Sequence, residues 1–264
     1  MAGGPMIAGL LHTVPALAPT FDALVADAIP GVHRQHVVDA WMLETAIAEG
    51  VTPAVRERVA SHLRHLSESG ADAVLVTCSS IGEAAEEAAA ALGIAVIRVD
   101  AAMAATAARL ADEEGAGRIA VLATNTATLG PTTRLIERET AGLGIAAAVT
   151  ATVVAGAAEA RAAGDQATHD RLIAEAVRAA AVPTGGDDAA AVIVLAQASM
   201  AQAAESAGVS IPVLTSPAGG VARLAEALTP SDPGTPVASA NRPAPPGSDG
   251  LPDPDASPSA RSLT

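Results

Sequence analysis

The sequence predicts an α/β protein made of two similar parallel-sheet lobes, related by a pseudo-two-fold internal repeat, with an active site in the cleft between them. Two observations lead to this fold class. Short apolar segments alternate with alanine-rich helical stretches, as in a mostly parallel sheet joined by right-handed crossovers. Two stretches also occur twice without gaps: 7–24 matches 119–136 at an offset of 112, and 71–86 matches 190–205 at an offset of 119.

The individual elements follow from the apolar runs and from the residues that punctuate them. Several runs are apolar throughout, which is typical of parallel strands covered on both faces. Strands are expected near 6–11, 34–39, 73–77, 94–99, 118–123, 146–154, 191–196 and 211–215. Capping residues and prolines predict that helices begin at Thr52 with Pro53, after Asp100, at Pro131, and at Ser216 with Pro217.

The repeat also sets the predicted domain boundaries. Residues 1–117 form lobe one, and residues 118–228 form lobe two, whose last strand and helix can pack on lobe one. Residues 229–264 hold nine of the 18 prolines and almost no large apolar residue. Such a composition cannot bury enough apolar surface to fold, so this segment is predicted to be a disordered tail.

The chain has one cysteine, and the repeat places it on one side only. Cys78 follows the predicted strand at 73–77 and precedes a helix expected near Ile81, while Gln197 takes the equivalent position in the second copy. The helix dipole and the free N–H groups of a first turn favour a thiolate, so this position predicts a lowered pKa and catalysis by Cys78. The alternative interpretation is a small buried core cysteine.

Polar residues follow the other predicted strands at the same sheet edge, where parallel sheets bind ligands. His12 and Thr13 end the first strand, and Asn125 with Thr126 ends its counterpart. Turn formation or helix capping explains Thr13 and Asn125 equally well, and a backbone hydrogen bond is the alternative for His12. The two turns after the central strands add further candidates for substrate binding, namely Ser79, Ser80, Gln197 and Ser199.

Composition excludes several classes of function. The chain contains no lysine, so neither a Schiff base nor a P-loop lysine can form. A net charge of −14 disfavours nucleic acid as a partner. One cysteine allows no intrachain disulfide, and the other histidines form no metal-ligand pattern, so no metal site is expected. The short apolar runs and the N-terminus predict neither a membrane span nor a signal peptide, which favours the cytoplasm.

These motifs resemble the aspartate/glutamate/hydantoin racemase superfamily, which also includes maleate isomerase and arylmalonate decarboxylase. The resemblance covers about 6–228: VLVTCSS matches the first cysteine motif, HTVPAL and ATNTATLGPT match the strand-end motifs, and VIVLAQASM has the shape of the second cysteine motif without its cysteine. It implies cofactor-independent proton transfer at the carbon next to a carboxylate or amide. It further implies Cys78 as acid or base, a small carboxylate or amide substrate, and often a homodimer.

The departure at Gln197 leaves the reaction open, because an amide cannot exchange a proton as a thiol does. One thiol suffices to protonate the enolate left by decarboxylation, as the resemblance to arylmalonate decarboxylase implies, or to add to an activated double bond. A second class of function is a non-catalytic module that binds small anions. A dinucleotide-dependent dehydrogenase is disfavoured, because no G-x-G-x-x-G motif follows a strand.

Overall fold

The structure is a computed structural model of the chain and describes residues 5–115, 117–183 and 189–229. Across these residues the predicted alternation of strands and helices is confirmed, and each predicted strand lies within three residues of an observed one. The strands are β1 (Ile7–His12), β2 (His33–Val38), β3 (Ala73–Val76), β4 (Val96–Arg98), β5 (Arg118–Ala123), β6 (Val149–Val153), β7 (Ala190–Leu195) and β8 (Val213–Thr215).

These strands form two four-stranded sheets of matching topology. The first has the order β2-β1-β3-β4 and the second the order β6-β5-β7-β8, and all neighbouring strands are parallel. The fold class predicted from the sequence is therefore confirmed as α/β with two parallel sheets. The predicted tail, except for Thr229, lies outside the described residues.

Helices cover both faces of each sheet. They are α1 (Ala18–Ala28), α2 (Ala40–Glu49), α3 (Pro53–Glu68), α4 (Gly82–Leu92), α5 (Ala101–Glu113), α6 (Thr126–Leu143), α7 (Ala157–Ala162), α8 (Gln166–Ala180), α9 (Ala201–Ser206) and α10 (Pro217–Leu228). No helix in the described part of the chain is both long enough and apolar enough to cross a membrane.

One predicted helix start is wrong. Pro131 was expected to open a helix, but it lies inside α6, which begins at Thr126. The Asn125 side chain caps this helix by accepting a hydrogen bond from the Thr128 backbone N–H (3.0 Å). The cap supplies a stronger start signal than proline, and α6 continues past Pro131 although the ring removes one backbone hydrogen bond.

Two helices each pack on the sheet of the other half of the repeat. Helix α5 follows β4 of the first sheet but packs against β5 and β7 of the second sheet and against α6. Helix α10 follows β8 of the second sheet but packs against α1, β3 and β4. Val221 and Leu224 of α10 are buried in the same core as Leu10 and Phe21. The reciprocal exchange buries apolar surface between the halves and fixes their sheets in one compact unit.

A buried ion cluster lies beneath the start of α4. Arg98, at the end of β4, donates to both carboxylate oxygens of Asp100 (2.9 and 2.8 Å) and to Glu86 of α4 (3.1 Å). Arg98 is 3% exposed and Asp100 is fully buried. The guanidinium lies directly against Gly82, where an added Cβ would come within 2.6 Å of it. Only glycine therefore leaves room for the cluster at this position.

Candidate functional site

A cavity of about 40 Å³ lies where the carboxyl ends of β1, β3 and β7 meet. This volume accommodates about three water-sized groups, enough for a carboxylate and the carbon that bears it. Six of the nine predicted site residues line the cavity: Thr13, Cys78, Ser79, Ser80, Gln197 and Ser199. Residues that the sequence did not single out complete it: Val14, Leu17, Leu43, Thr77, Thr128, Ala196 and Ala198.

Cys78 is held at the mouth of a tight strand-to-helix turn. Strand β3 ends at Val76, Cys78 is still extended (φ −129°, ψ 114°), and a single 3₁₀ turn over 79–81 leads into α4. The sulfur faces the backbone N–H groups of Ser80 and Ile81. A sulfur or a substrate oxygen at this point therefore meets the unpaired donors of a first helical turn, as the sequence predicted.

The predicted direction of the Cys78 pKa shift is wrong. Burial is the largest effect and raises the pKa of the thiol above its ordinary value. The Thr13 hydroxyl and the N–H groups of Ser80 and Ile81 lower the pKa, but they do not offset the loss of water around the sulfur. Sequence position reveals the donors of the turn, but not how closely the surrounding core packs around the sulfur. The thiol is consequently protonated at neutral pH.

Hydroxyl groups surround the thiol and join the two halves of the molecule. The Ser79 hydroxyl donates to the Ala196 carbonyl (3.2 Å), and the Ser80 hydroxyl lies 2.9 Å from that of Thr128. Thr13 is 2% exposed, and its hydroxyl has no hydrogen-bond partner of ordinary geometry. Thr13 is thus a buried polar group beside Cys78 whose hydrogen-bonding capacity is still available to a ligand.

Gln197 occupies the turn of the second half that corresponds to Cys78. Its Oε1 accepts hydrogen bonds from both the backbone N–H and the hydroxyl of Thr124 (2.6 and 2.8 Å). These bonds fix the amide plane and leave the NH₂ group as the donating end of a side chain that lines the cavity. Gln197 can bind an oxygen of a substrate, but it cannot exchange a proton with carbon.

Three predicted site residues do not line the cavity. Asn125 uses its side-chain oxygen to cap α6, with Thr128 N–H and Thr128 Oγ1 as donors. Thr126 is the first residue of that helix and is exposed. His12 is fully buried behind the cavity wall. Asn125 is therefore a helix cap. The hydroxyl that lines the cavity on this side belongs to Thr128, three residues further along the chain.

His12 belongs to a chain of hydrogen bonds that runs from the cavity wall to the surface. Its Nδ1 lies 2.9 Å from Thr77 Oγ1, and its Nε2 lies 3.0 Å from His36 Nδ1. His36 Nε2 in turn lies 3.1 Å from Asp22 Oδ1, which also accepts from Arg34 Nε (2.7 Å). The two imidazole rings are stacked with an interplanar angle of 10°.

Burial governs the protonation of this chain at its inner end. Burial lowers the pKa of His12 to about 4, and the neighbouring His36 adds to the shift. The Arg34 guanidinium lowers the pKa of Asp22, which therefore remains a carboxylate at neutral pH. His36 lies on β2 at the protein surface and is not among the site residues predicted from the sequence. Its partners become visible only through the pairing of β1 with β2, which sets Leu10 beside His36.

The cavity lining carries no charged side chain among the described residues that form it. Its donors are hydroxyl groups, one amide and backbone N–H groups, and Val14, Leu17 and Leu43 supply an apolar side. An isolated charge is costly to bury without a partner. The lining therefore suits one oxygen-bearing group attached to an otherwise uncharged body.

Comparison with known families agrees with this arrangement. The sequence model described as "Asp/Glu/Hydantoin racemase" matches residues 13–224. The chain belongs to this family. Its members share the two-sheet fold described above, and the matched residues include every residue that lines the cavity.

Solved structures similar to this chain include several racemases of the family. A glutamate racemase isoform from Bacillus anthracis is 19% identical with a TM-score of 0.61, over 84% of this chain and 81% of that one. An allantoin racemase from Klebsiella pneumoniae is 18% identical with a TM-score of 0.51, over 84% and 86%. A glycine-to-cysteine variant of arylmalonate decarboxylase is 21% identical with a TM-score of 0.51, over 83% and 93%. At these identities the likeness establishes the fold alone. No curated protein sequence gives a significant match.

Proposed function

We propose that this protein is an enzyme that transfers protons at the carbon next to a carboxylate or amide, with Cys78 as the proton donor on one face. The observation that carries the proposal is the position of the Cys78 thiol, held against the N–H groups of Ser80 and Ile81 in a cavity between the two sheets. Family membership supports an enzyme of this superfamily. Proton transfer of this kind needs no cofactor.

The raised pKa of Cys78 favours the role of acid over that of base. A thiol that stays protonated at neutral pH can deliver its proton to a carbanion or enolate as soon as one forms. The negative oxygen of the enolate would lie against the N–H groups of the turn and the hydroxyl of Thr13. Donors that are already oriented stabilise such an oxygen without reorganising during the reaction.

The lining of the cavity supports a substrate with a single anionic or carbonyl group. A crystal structure of the Francisella tularensis racemase contains D-glutamate, which carries two carboxylates and an ammonium group. The cavity of this chain offers no charged side chain to balance the extra charges. We therefore propose a small carboxylate or amide held by Gln197 and Ser199, with an uncharged, apolar substituent that packs against Leu17 and Leu43.

Decarboxylation is the second candidate, and the protonated thiol paired with Gln197 favours it. Loss of CO₂ from a malonate creates the enolate without any base, so a single acid completes the reaction. The second carboxylate of a malonate departs from the singly charged substrate that the lining favours. Racemisation and exchange of the α-hydrogen instead require a group that accepts a proton. The two reactions therefore differ in whether the site contains a base in addition to Cys78.

A solvent-exchange assay tests the proposal. Purified protein in D₂O is incubated with a panel of 2-alkyl carboxylates, their amides, 5-alkylhydantoins and 2-alkylmalonates, and deuterium at the α-carbon is followed by NMR. We expect the native chain to label at least one class. Cys78→Ala should lower that rate by about a thousand-fold, which is typical of removing a general acid.

Ser206→Ala is the matched control, because it removes one hydroxyl from α9 that bonds only to the Ala203 carbonyl, outside the cavity. Its labelling rate should equal that of the native chain. Labelling by Cys78→Ala at the native rate contradicts the proposed role of the thiol. Binding of the panel without labelling or CO₂ release by the native chain indicates the non-catalytic binding module instead.

A further inference from the structure

Four side chains connect the protein surface to the cavity without a break. Asp22 lies on α1 with 44% of its side chain exposed, and His36 on β2 has 24% exposed. His12 is fully buried, and Thr77 lines the cavity next to Cys78. The three donor–acceptor distances along the chain are 3.1, 3.0 and 2.9 Å.

When both histidines are neutral, counting donors and acceptors fixes the position of each hydrogen in this row of hydrogen bonds. Because the Asp22 carboxylate only accepts, His36 must carry its hydrogen on Nε2, and a neutral His36 must accept at Nδ1. His12 then donates from Nε2 and accepts at Nδ1. Thr77 consequently donates its hydroxyl hydrogen to His12. Every bond in this state points from the cavity toward the surface.

A proton added to His36 reverses the hydrogen bonds between His36 and His12 and between His12 and Thr77, while His36 still donates to Asp22. The imidazolium donates from both nitrogens, so His12 must accept at Nε2 and carry its hydrogen on Nδ1. Thr77 then accepts from His12 and needs another acceptor for its own hydrogen. The Leu11 carbonyl lies 3.2 Å from Thr77 Oγ1 and fills this role. The structure thus supplies partners for both hydrogen-bond directions, with no movement of heavy atoms required.

We propose that Asp22, His36, His12 and Thr77 form a proton relay that serves as the second acid–base group of the active site. The inference rests on the proposed function, since it supplies the group that Gln197 cannot. Thr77 is the residue of the relay that exchanges a proton with the substrate. His12, His36 and Asp22 act through it.

The proton balance of the relay is complete. The α-hydrogen passes from the substrate carbon to Thr77 Oγ1 while the hydroxyl hydrogen passes to His12 Nδ1 and the Nε2 hydrogen passes to His36 Nδ1. One C–H bond breaks and one N–H bond is gained overall, and the electron pair of the C–H bond remains on the substrate as an enolate. The new imidazolium of His36 is paired with the Asp22 carboxylate. The reverse sequence returns a proton.

The position of Thr77 suits a group that complements Cys78. Successive side chains leave a strand on opposite faces. Thr77 and His12 lie on the face of the first sheet that α1 covers. Cys78 packs in the core on the opposite face, under α3 and α4. The corresponding residues of the other half are Ala196 and Thr124, so that half has no equivalent chain.

The ionisable groups around His36 are few. Asp22 approaches from α1 and His12 from β1, while Arg34, on the same strand as His36, bonds to the Asp22 carboxylate. A proton on His36 is therefore stabilised by one carboxylate. The Arg34 guanidinium shares this carboxylate.

The tautomer of His12 tests the relay without any substrate. The protein is labelled with ¹⁵N-histidine, the ring signals of His12 and His36 are assigned from their loss in His12→Gln and His36→Gln, and the spectra are followed from about pH 8 to 5, where histidines titrate. We expect His12 to remain neutral and to change from the Nε2–H to the Nδ1–H form as His36 takes up a proton. A His12 tautomer that stays constant over this pH range overturns the proposal.

Kinetics on the most rapidly labelled member of the substrate panel provide the second test. We expect His36→Gln to lower kcat for α-hydrogen exchange by about a hundred-fold with little change in KM. His36→Ala opens a partly exposed site, and added imidazole should restore at least a tenth of the lost activity. His33→Gln, an exposed histidine on the same strand, is the control and should match the native chain.

The two proposals can fail separately. If Cys78→Ala keeps its activity, the proposed function is wrong, while the NMR titration still tests the relay. If the His12 tautomer changes but His36→Gln exchanges hydrogen at the native rate, or imidazole gives no rescue, the network is structural and the relay is rejected. A change of tautomer together with the loss and rescue of kcat is the result we expect.

Discussion

The turn after β3 and the turn after β7 have matching backbones and different chemistry. Each central strand ends in an extended residue followed by a single 3₁₀ turn and a helix. In the first half the extended residue is Cys78, and its neighbour Thr77 leads into a chain of imidazoles. In the second half the extended residue is Gln197, and its oxygen is bound to Thr124.

The difference separates two tasks that a duplicated fold could share. The first turn presents a thiol and a hydroxyl that is linked to two imidazoles, and the ion cluster of Arg98 is buried behind it. The second turn presents a fixed amide and small side chains. Arg98 corresponds to Thr215 in the repeat, and Gly82 corresponds to Ala201, so the glycine and the buried arginine occur together in one half and are absent together from the other.

The largest expected effect on stability comes from substitution of Gly82, which disturbs its close contact with Arg98. In Gly82→Ala the new Cβ falls 2.6 Å from the Arg98 guanidinium, which must leave its bonds to the buried Asp100. Breaking a buried ion pair costs about 3 to 5 kcal/mol. Urea unfolding should register a loss of this size. Ala201→Gly, the corresponding change in the other half, should cost only about 1 kcal/mol through helix propensity. Equal losses in the two variants would contradict the steric argument.

Acid should destabilise the first half through His12, whose counterpart Thr124 does not titrate. The unfolded chain binds a proton at this histidine near pH 6.5, whereas burial lowers the pKa in the folded state to about 4. The unfolded state therefore binds more protons between these values, and stability falls as the pH falls. The expected loss is about 3 kcal/mol between pH 7 and 4.

The measurement is the free energy of unfolding in urea at several pH values for the native chain and for His12→Gln. Carboxylates with lowered pKa, such as Glu86 and Asp39, also lose stability in acid, but they remain in both proteins. The difference between the two curves therefore isolates His12. Parallel curves would mean that His12 already binds its proton in the folded protein.

The two turns also explain which parts of this molecule the sequence could reveal. Local patterns determine the strands, the helix after Cys78 and the polar cap residue Asn125, because each depends on residues close in the chain. The raised pKa of Cys78 depends on burial by residues distant in the chain, and the partnership of His12 with His36 depends on strand register. Neither quantity has a local signal, so sequence reasoning gave the wrong sign for the first and missed the second.

The smallest expected effect concerns Gln197 and decides whether its side chain is structural as well as ligand-binding. Gln197→Ala removes the acceptor for the backbone N–H and the hydroxyl of Thr124, which is 6% exposed. A buried donor left without a partner costs about 1 to 3 kcal/mol, so thermal or urea unfolding should move by that amount. Cys78→Ala, at the equivalent position, removes no comparable acceptor and should cost less. If Gln197→Ala loses less stability than Cys78→Ala, the second turn does not depend on its amide. The proposed difference in role between the two turns would then be wrong.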